Sequence, residues 1–166
     1  MSLTENPLNI EPAQGEFVAE TDVLIDLLLQ TLSHGNTFRF NASGRSMEPF
    51  IHSGDTVSIV QLLSSLPRLG DVLAFIHPLD GRLLLHRMIQ KKENEYLMKG
   101  DNLSDYSDGW VSAQQLLGKV SHIDRGDRKI WFGLGVEKRL IALLSRWNWL
   151  VPMLNRLRAF RLFFWN

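Results

Sequence analysis

The chain has 166 residues, 45% hydrophobic and 22% charged, a size and composition that hold one globular domain and exclude a disordered or fibrous protein. It has no cysteine, so disulfides and thiolate metal sites are excluded. Its formal net charge of zero is a sum of unlike parts: residues 1–35 carry six acids and no Lys or Arg, residues 36–123 carry nine of each sign, and residues 124–166 carry nine basic residues against Asp124, Asp127 and Glu137.

That partition gives the expected organisation: an acidic lead-in and helix over 1–35, a β-rich domain over 36–133, and a basic, aromatic helical tail over 134–166. A membrane span needs roughly 20 consecutive apolar residues, and the apolar runs here are far shorter. The N-terminus is acidic where a secretory signal is basic, and Val23 to Leu32 is interrupted by Asp26 and Gln30. The expected compartment is therefore the cytoplasm, with peripheral membrane association open to the tail.

Pro7, Pro12 and Gly15 among polar residues make 1–19 an irregular lead-in. From Thr21 to His34, Leu24, Leu27, Leu28, Thr31 and Leu32 recur at helical spacing. Thr21 suits the N-cap and Gly35 the position just past the C-terminus. From Thr37 the chain turns to short β-branched and aromatic runs divided by Gly-Asp, Pro and Asn. Strands are expected over 37–43, 56–61, 72–77, 82–90, 95–99, 118–123 and 129–132. Short connections make the strands mostly antiparallel, so the expected fold is mainly β: a small, coiled, barrel-like antiparallel sheet with an N-terminal helix and C-terminal helices. After Gly135, Val136, Leu140, Leu143, Leu144, Trp147, Leu150, Val151 and Leu154 follow one helical face, which Pro152 ends or kinks. Half of the sixteen aromatic residues fall in the last 36 positions, mixed with Arg146, Arg156, Arg158 and Arg161. Such a tail either packs on the β domain or lies on an anionic membrane surface through residues 136–166. Nucleic-acid binding is not expected, because the β region is neutral and no recognised motif accompanies the basic residues.

Chemistry is concentrated in three segments. In Asn41 to Val57, NASGRSMEPFIHSGDTV, Ser46 stands at the end of a strand, where a hydroxyl can point off the sheet edge beside unpaired backbone N–H groups. In GRLLLHRMI, His86 is embedded among leucines. Such a histidine is either a satisfied core residue or a general base, which an imidazole with an ordinary pKa of ~6.5 can be without deep burial. In MKGDNLSDYSDGW, Asp101, Asp105 and Asp108 lie close together without the spacing of a calcium loop. A carboxylate from there can orient the imidazole. The pairs Gly54-Asp55, Gly70-Asp71 and Gly100-Asp101 read as turn chemistry. No metal or other cofactor is expected.

In order, SGRSMEPFIHSGD, LGDVLAF, LLLHRMI, MKGDN and LLGKV resemble the catalytic domain of the signal peptidase I family, within the wider group that includes self-cleaving repressors. The blocks cover about Ser43 to Val120. The resemblance implies that Ser46 is the nucleophile and that His86 stands where bacterial members have a lysine base, as in archaeal and endoplasmic-reticulum members. It implies Asp108, with Asp105 as the alternative, as the carboxylate behind His86, and Gly44, Arg45 and Met47 as oxyanion or substrate-binding positions. Gly44 occupies the place of a serine that commonly helps the bacterial oxyanion hole, so that site falls to backbone N–H groups, including that of Ser46. The expected activity is that of a serine endopeptidase cleaving a leader or signal peptide held as an extended strand in a peptide or precursor protein. The alternatives are a peptide-binding module without turnover and a self-cleaving peptidase, the latter lacking an Ala-Gly pair upstream of Ser46.

Overall fold

A computed structural model describes residues 14–62 and 66–163, with side chains described from 21 to 157. The order is α1 (Gln14–Ser33), β1 (Phe38–Asn41), β2 (Thr56–Val60), β3 (Val72–Ile76), β4 (Leu83–Lys92), β5 (Glu95–Lys99), β6 (Gly109–Ser112), β7 (Leu116–Arg125), β8 (Arg128–Ile130), α2 (Lys138–Arg146) and α3 (Leu150–Phe163). The eight strands form one antiparallel sheet in the order β1-β2-β7-β3-β4-β5-β6, with β8 on β7, so the fold is mainly β and the sheet is not closed. Among the described residues, no helix is long and apolar enough to cross a membrane.

The sheet is buried on two sides because β3 alternates between them. Val72 and Ala74 join Ile25, Leu28 and Leu32 of α1 with Val57, Ile59, Val120 and Ile123 in one cluster. Leu73 and Phe75 join Met88, Tyr96, Met98 and Val111 in another. Both sets follow the two-residue period of a strand covered on both faces. A third cluster, Phe50 with Ile141 and Leu150, seats α2 and α3.

Four sequence expectations change. α1 begins at Gln14, so Thr21 lies inside the helix and is not its N-cap, and the irregular lead-in is shorter than 1–19. Gly35 does close the helix: at φ 73° its N–H donates to Leu32 O, and the Asn36 N–H reaches back to Thr31 O. The segment 109–112, read as part of an acid-rich turn, is a strand paired with β5. In the tail the helix breaks at Asn148, whose φ is 59°, and Pro152 falls in the first turn of α3, where a missing N–H costs no helical bond. The buried face is made by Ile141, Ala142, Ser145 and Leu150, while Val136, Leu140 and Trp147 are exposed.

The three Gly-Asp pairs are more than turns. Each aspartate is buried, and each meets a cation from a distant element: Asp55 with Arg125 (2.8 Å), Asp71 with Lys138 (2.6 Å) and Asp101 with Arg87 (2.7 Å). Burial opposes the charge of Asp55, yet the Arg125 guanidinium and the His52 N–H hold its carboxyl below the usual carboxylate range.

Candidate active site

Ser46 sits in the loop between β1 and β2. The loop closes at its base where the Ala42 N–H donates to Asp55 O and the Gly54 N–H to Ala42 O, both at 2.8 Å. Its interior is anchored by Met47, Phe50 and Ile51, all buried. Ser43, Gly44 and Ser46 line the groove, Met47 and Ile51 form part of its floor, and Arg45 is exposed outside it. Gly44 has φ 89°, and Arg45 forms an exposed ion pair with Glu48 at 3.3 Å.

The nucleophile turn is clamped from behind by the segment after β5. Asn102 donates its backbone N–H to Ser46 O at 2.7 Å and its side-chain amide to Arg45 O at 3.2 Å. A Cβ on Gly100 would stand 2.8 Å from Ser46 O and 3.1 Å from Ser46 Cβ, so only glycine fits against the serine. Gly100→Ala is expected to shift Ser46 and reduce turnover roughly a hundred-fold, as misplacement of about 1 Å does. Melting temperature and turnover measured on the same preparation check this, since loss of stability alone would leave turnover per folded molecule unchanged.

His86 lies on β4 opposite Leu73, buried, with the Phe75 ring centroid 6.2 Å away. Its Nε2 is 2.7 Å from Ser46 Oγ, and its Nδ1 is 2.6 Å from Asp108 Oδ2. Asp108 is buried at the entry to β6, where its own N–H donates to Met98 O. Asp105 is exposed, within reach of the Ser104 hydroxyl, which donates to it at 3.0 Å. Of the two candidate carboxylates, Asp108 is therefore the one that meets the imidazole. In the neutral ring, Nδ1–H donates to Asp108 and Nε2 accepts the Ser46 hydroxyl, the tautomer a general base needs. Among the described residues no acceptor meets the Ser46 backbone N–H, which leaves a donor beside Oγ for a developing oxyanion.

Ser46 and His86 line a groove of about 320 Å³, with Asp108 behind the imidazole. One wall is Phe40, Ala42 and Gly44 at the end of β1; the other is Leu83 and Leu85 of β4, and Leu24 of α1 reaches in from the side. Both walls carry strand edges. β1 ends the sheet, and β4 pairs with β5 only from Arg87 onward, so Leu83 to His86 keep one side unpaired.

Two buried cations brace this arrangement, and sequence reasoning had assigned neither. Arg87, next to His86, makes two 2.7 Å bonds to the Asp101 carboxylate and donates to Gly70 O at 2.8 Å and Gly133 O at 2.7 Å. Lys99 donates to Ser104 O (2.8 Å), Ser145 O (3.0 Å) and Asn148 Oδ1 (2.5 Å), tying the Asp108 loop to the break between α2 and α3. Burial pushes the Lys99 ammonium below its ordinary pKa, while Asp105 and Asp101 oppose that shift. The signal that could have found both is a cation joined to an apolar run, Arg87 within Leu83 to Ile89 and Lys99 directly after Leu97 and Met98 at the end of β5.

A family model described as Peptidase S24-like matches residues 8–121, which takes in Ser46, His86 and Asp108. No curated protein matches the chain.

Proposed function

The chain belongs to the Peptidase S24-like family, whose fold serves serine peptidases and self-cleaving repressors, and from that premise we propose that it is a serine endopeptidase of the signal peptidase type acting on a separate peptide chain. Ser46 attacks the scissile carbonyl, His86 takes the hydroxyl proton and returns it to the leaving amine, and Asp108 orients His86 and stabilises its cationic form. The observation that carries the reading is the continuous contact from Ser46 Oγ through His86 to Asp108, 2.7 Å and 2.6 Å, opening on a groove. A histidine base needs orientation more than the deep desolvation that a lysine base requires to lose its proton near neutral pH.

The groove supports the proposed substrate class. Two unpaired strand edges suit an extended peptide that adds between them by main-chain hydrogen bonds. Its lining of Ala42, Gly44, Phe40, Leu83 and Leu85 admits small and apolar side chains. A leader or signal peptide with a small residue before the cut fits that description. The Ser46 backbone N–H supplies the oxyanion donor, with no side-chain hydroxyl at Gly44.

The test is digestion of a mixed peptide library and of signal-peptide-bearing precursors, with new termini read by mass spectrometry, for the wild type and Ser46→Ala. Cuts after small residues that vanish in Ser46→Ala are expected. Identical cuts in the variant would remove Ser46 from the mechanism. Cuts confined to the library would retain the peptidase and discard signal-peptide processing. Concentration-independent shortening of the chain itself at alkaline pH would identify self-cleavage instead.

A further inference from the structure

Phe50, Ile141 and Leu150 spend the inner faces of α2 and α3 on the β domain. The outer faces are also apolar. Trp147, Trp149 and Leu157 are 58%, 63% and 59% exposed. The two indoles stand 5.9 Å apart, centroid to centroid, across the helix break. Trp149 also lines a shallow depression with Leu144, Met153 and Leu157, so residues of both helices share one continuous surface. Scattered exposed apolar side chains are ordinary, but a contiguous aromatic patch marks a surface that something covers.

The charges around the patch indicate what covers it. Arg156 lines the depression, Arg139 and Arg146 are exposed on α2, and the sole acid between 134 and 157 is Glu137. The Glu137 carboxylate is turned to the backbone, accepting the Gly133 N–H at 2.6 Å and the Gly135 N–H at 3.1 Å, and among the described residues the ion pairs include none of Arg139, Arg146 and Arg156. Indole rings favour the boundary between headgroups and hydrocarbon, and guanidinium groups favour lipid phosphates. A patch that pairs exposed indoles with uncompensated arginines is complementary to an anionic bilayer surface. A second copy of the same face would bring arginines against arginines.

We propose that the outward face of α2 and α3 docks on the surface of an anionic bilayer, with Trp147 and Trp149 at the headgroup boundary and Arg146 and Arg156 on lipid phosphates. The chain lies on the membrane and does not span it. Docking is independent of turnover and does not rest on the peptidase reading. It also accounts for the excess of positive charge in residues 124–166, nine basic residues against three acids.

The experiment is sedimentation of the full chain with vesicles of phosphatidylcholine alone or with 30% phosphatidylglycerol, about a standard anionic fraction, followed by tryptophan fluorescence. Binding to the anionic vesicles only is expected, with a blue-shifted emission and weakening as salt rises. Each of Arg146→Gln and Arg156→Gln should lower the partition coefficient roughly five-fold. Trp147→Ser with Trp149→Ser should abolish the blue shift. Far-ultraviolet circular dichroism confirms that these surface variants fold. Equal binding by the variants, binding insensitive to salt, or no binding to anionic vesicles overturns the proposal. So does tryptophan-dependent dimerisation without vesicle binding, which would assign the face to a second copy.

Discussion

His86→Ala is expected to lower turnover of a cleavable peptide by roughly 10⁴–10⁶-fold while leaving KM within a few-fold, because the imidazole acts on the transition state more than on bound substrate. Without it the Ser46 hydroxyl has no acceptor for its proton among the described residues, since His86 Nε2 at 2.7 Å is the group that meets it. Asp108→Asn should cost roughly 10⁴-fold. The asparagine amide would present N–H to Nδ1 and favour the ring tautomer that carries its proton on Nε2, where it can no longer accept from Ser46. Asp105→Asn serves as the comparison. That carboxylate lies on the surface with the Ser104 hydroxyl, so its loss should change turnover by no more than a few-fold. Steady-state kinetics on the three variants decide the matter. If Asp105→Asn matched Asp108→Asn, the orienting role would belong to the loop as a whole. If His86→Ala kept near wild-type turnover, His86 would be a satisfied core residue.

What could be read from the residues, and what could not, divides along range. Ser46 and His86 stand out because each breaks a local rule: a serine after small residues at a strand end, and a histidine in a leucine run. Gly35 follows from local helix chemistry, and its φ of 73° agrees. The start of α1 at Gln14 escaped because Thr21 makes a good cap only where a helix begins, and the helix already runs through it. Residues 109–112 escaped because Gly109 and the preceding aspartates look like a loop, while pairing with β5 overrides weak local preference. The roles of Gly100 and Asn102 are set by where Ser46 comes to rest, more than fifty positions earlier in the chain. The same holds for the three Gly-Asp aspartates. Each has the local signature of a turn, and its cation comes from another part of the sequence. Long-range partnership of this kind has no short-range pattern to read.

The largest structural effect is expected at Arg87. Its guanidinium is fully buried and donates four hydrogen bonds, two to the Asp101 carboxylate and one each to Gly70 O and Gly133 O. It also lies over the Phe50 ring at 5.3 Å. Arg87→Met fills a similar apolar volume but strands Asp101 as a buried charge and leaves two carbonyls without a donor. Breaking a buried pair on one side costs about 3–5 kcal/mol, or roughly 6–20 °C in Tm for a chain of this size. Arg87→Met with Asp101→Leu removes both charges. It should therefore be less destabilised than the sum of the single changes, by roughly 1–3 kcal/mol. Denaturant unfolding of the four proteins measures that coupling. The activity prediction runs the other way, because Asp101 belongs to the segment that clamps Ser46 through Gly100 and Asn102. The double variant should regain stability without regaining turnover. Recovery of both together would mean that the pair holds the fold but not the position of the nucleophile.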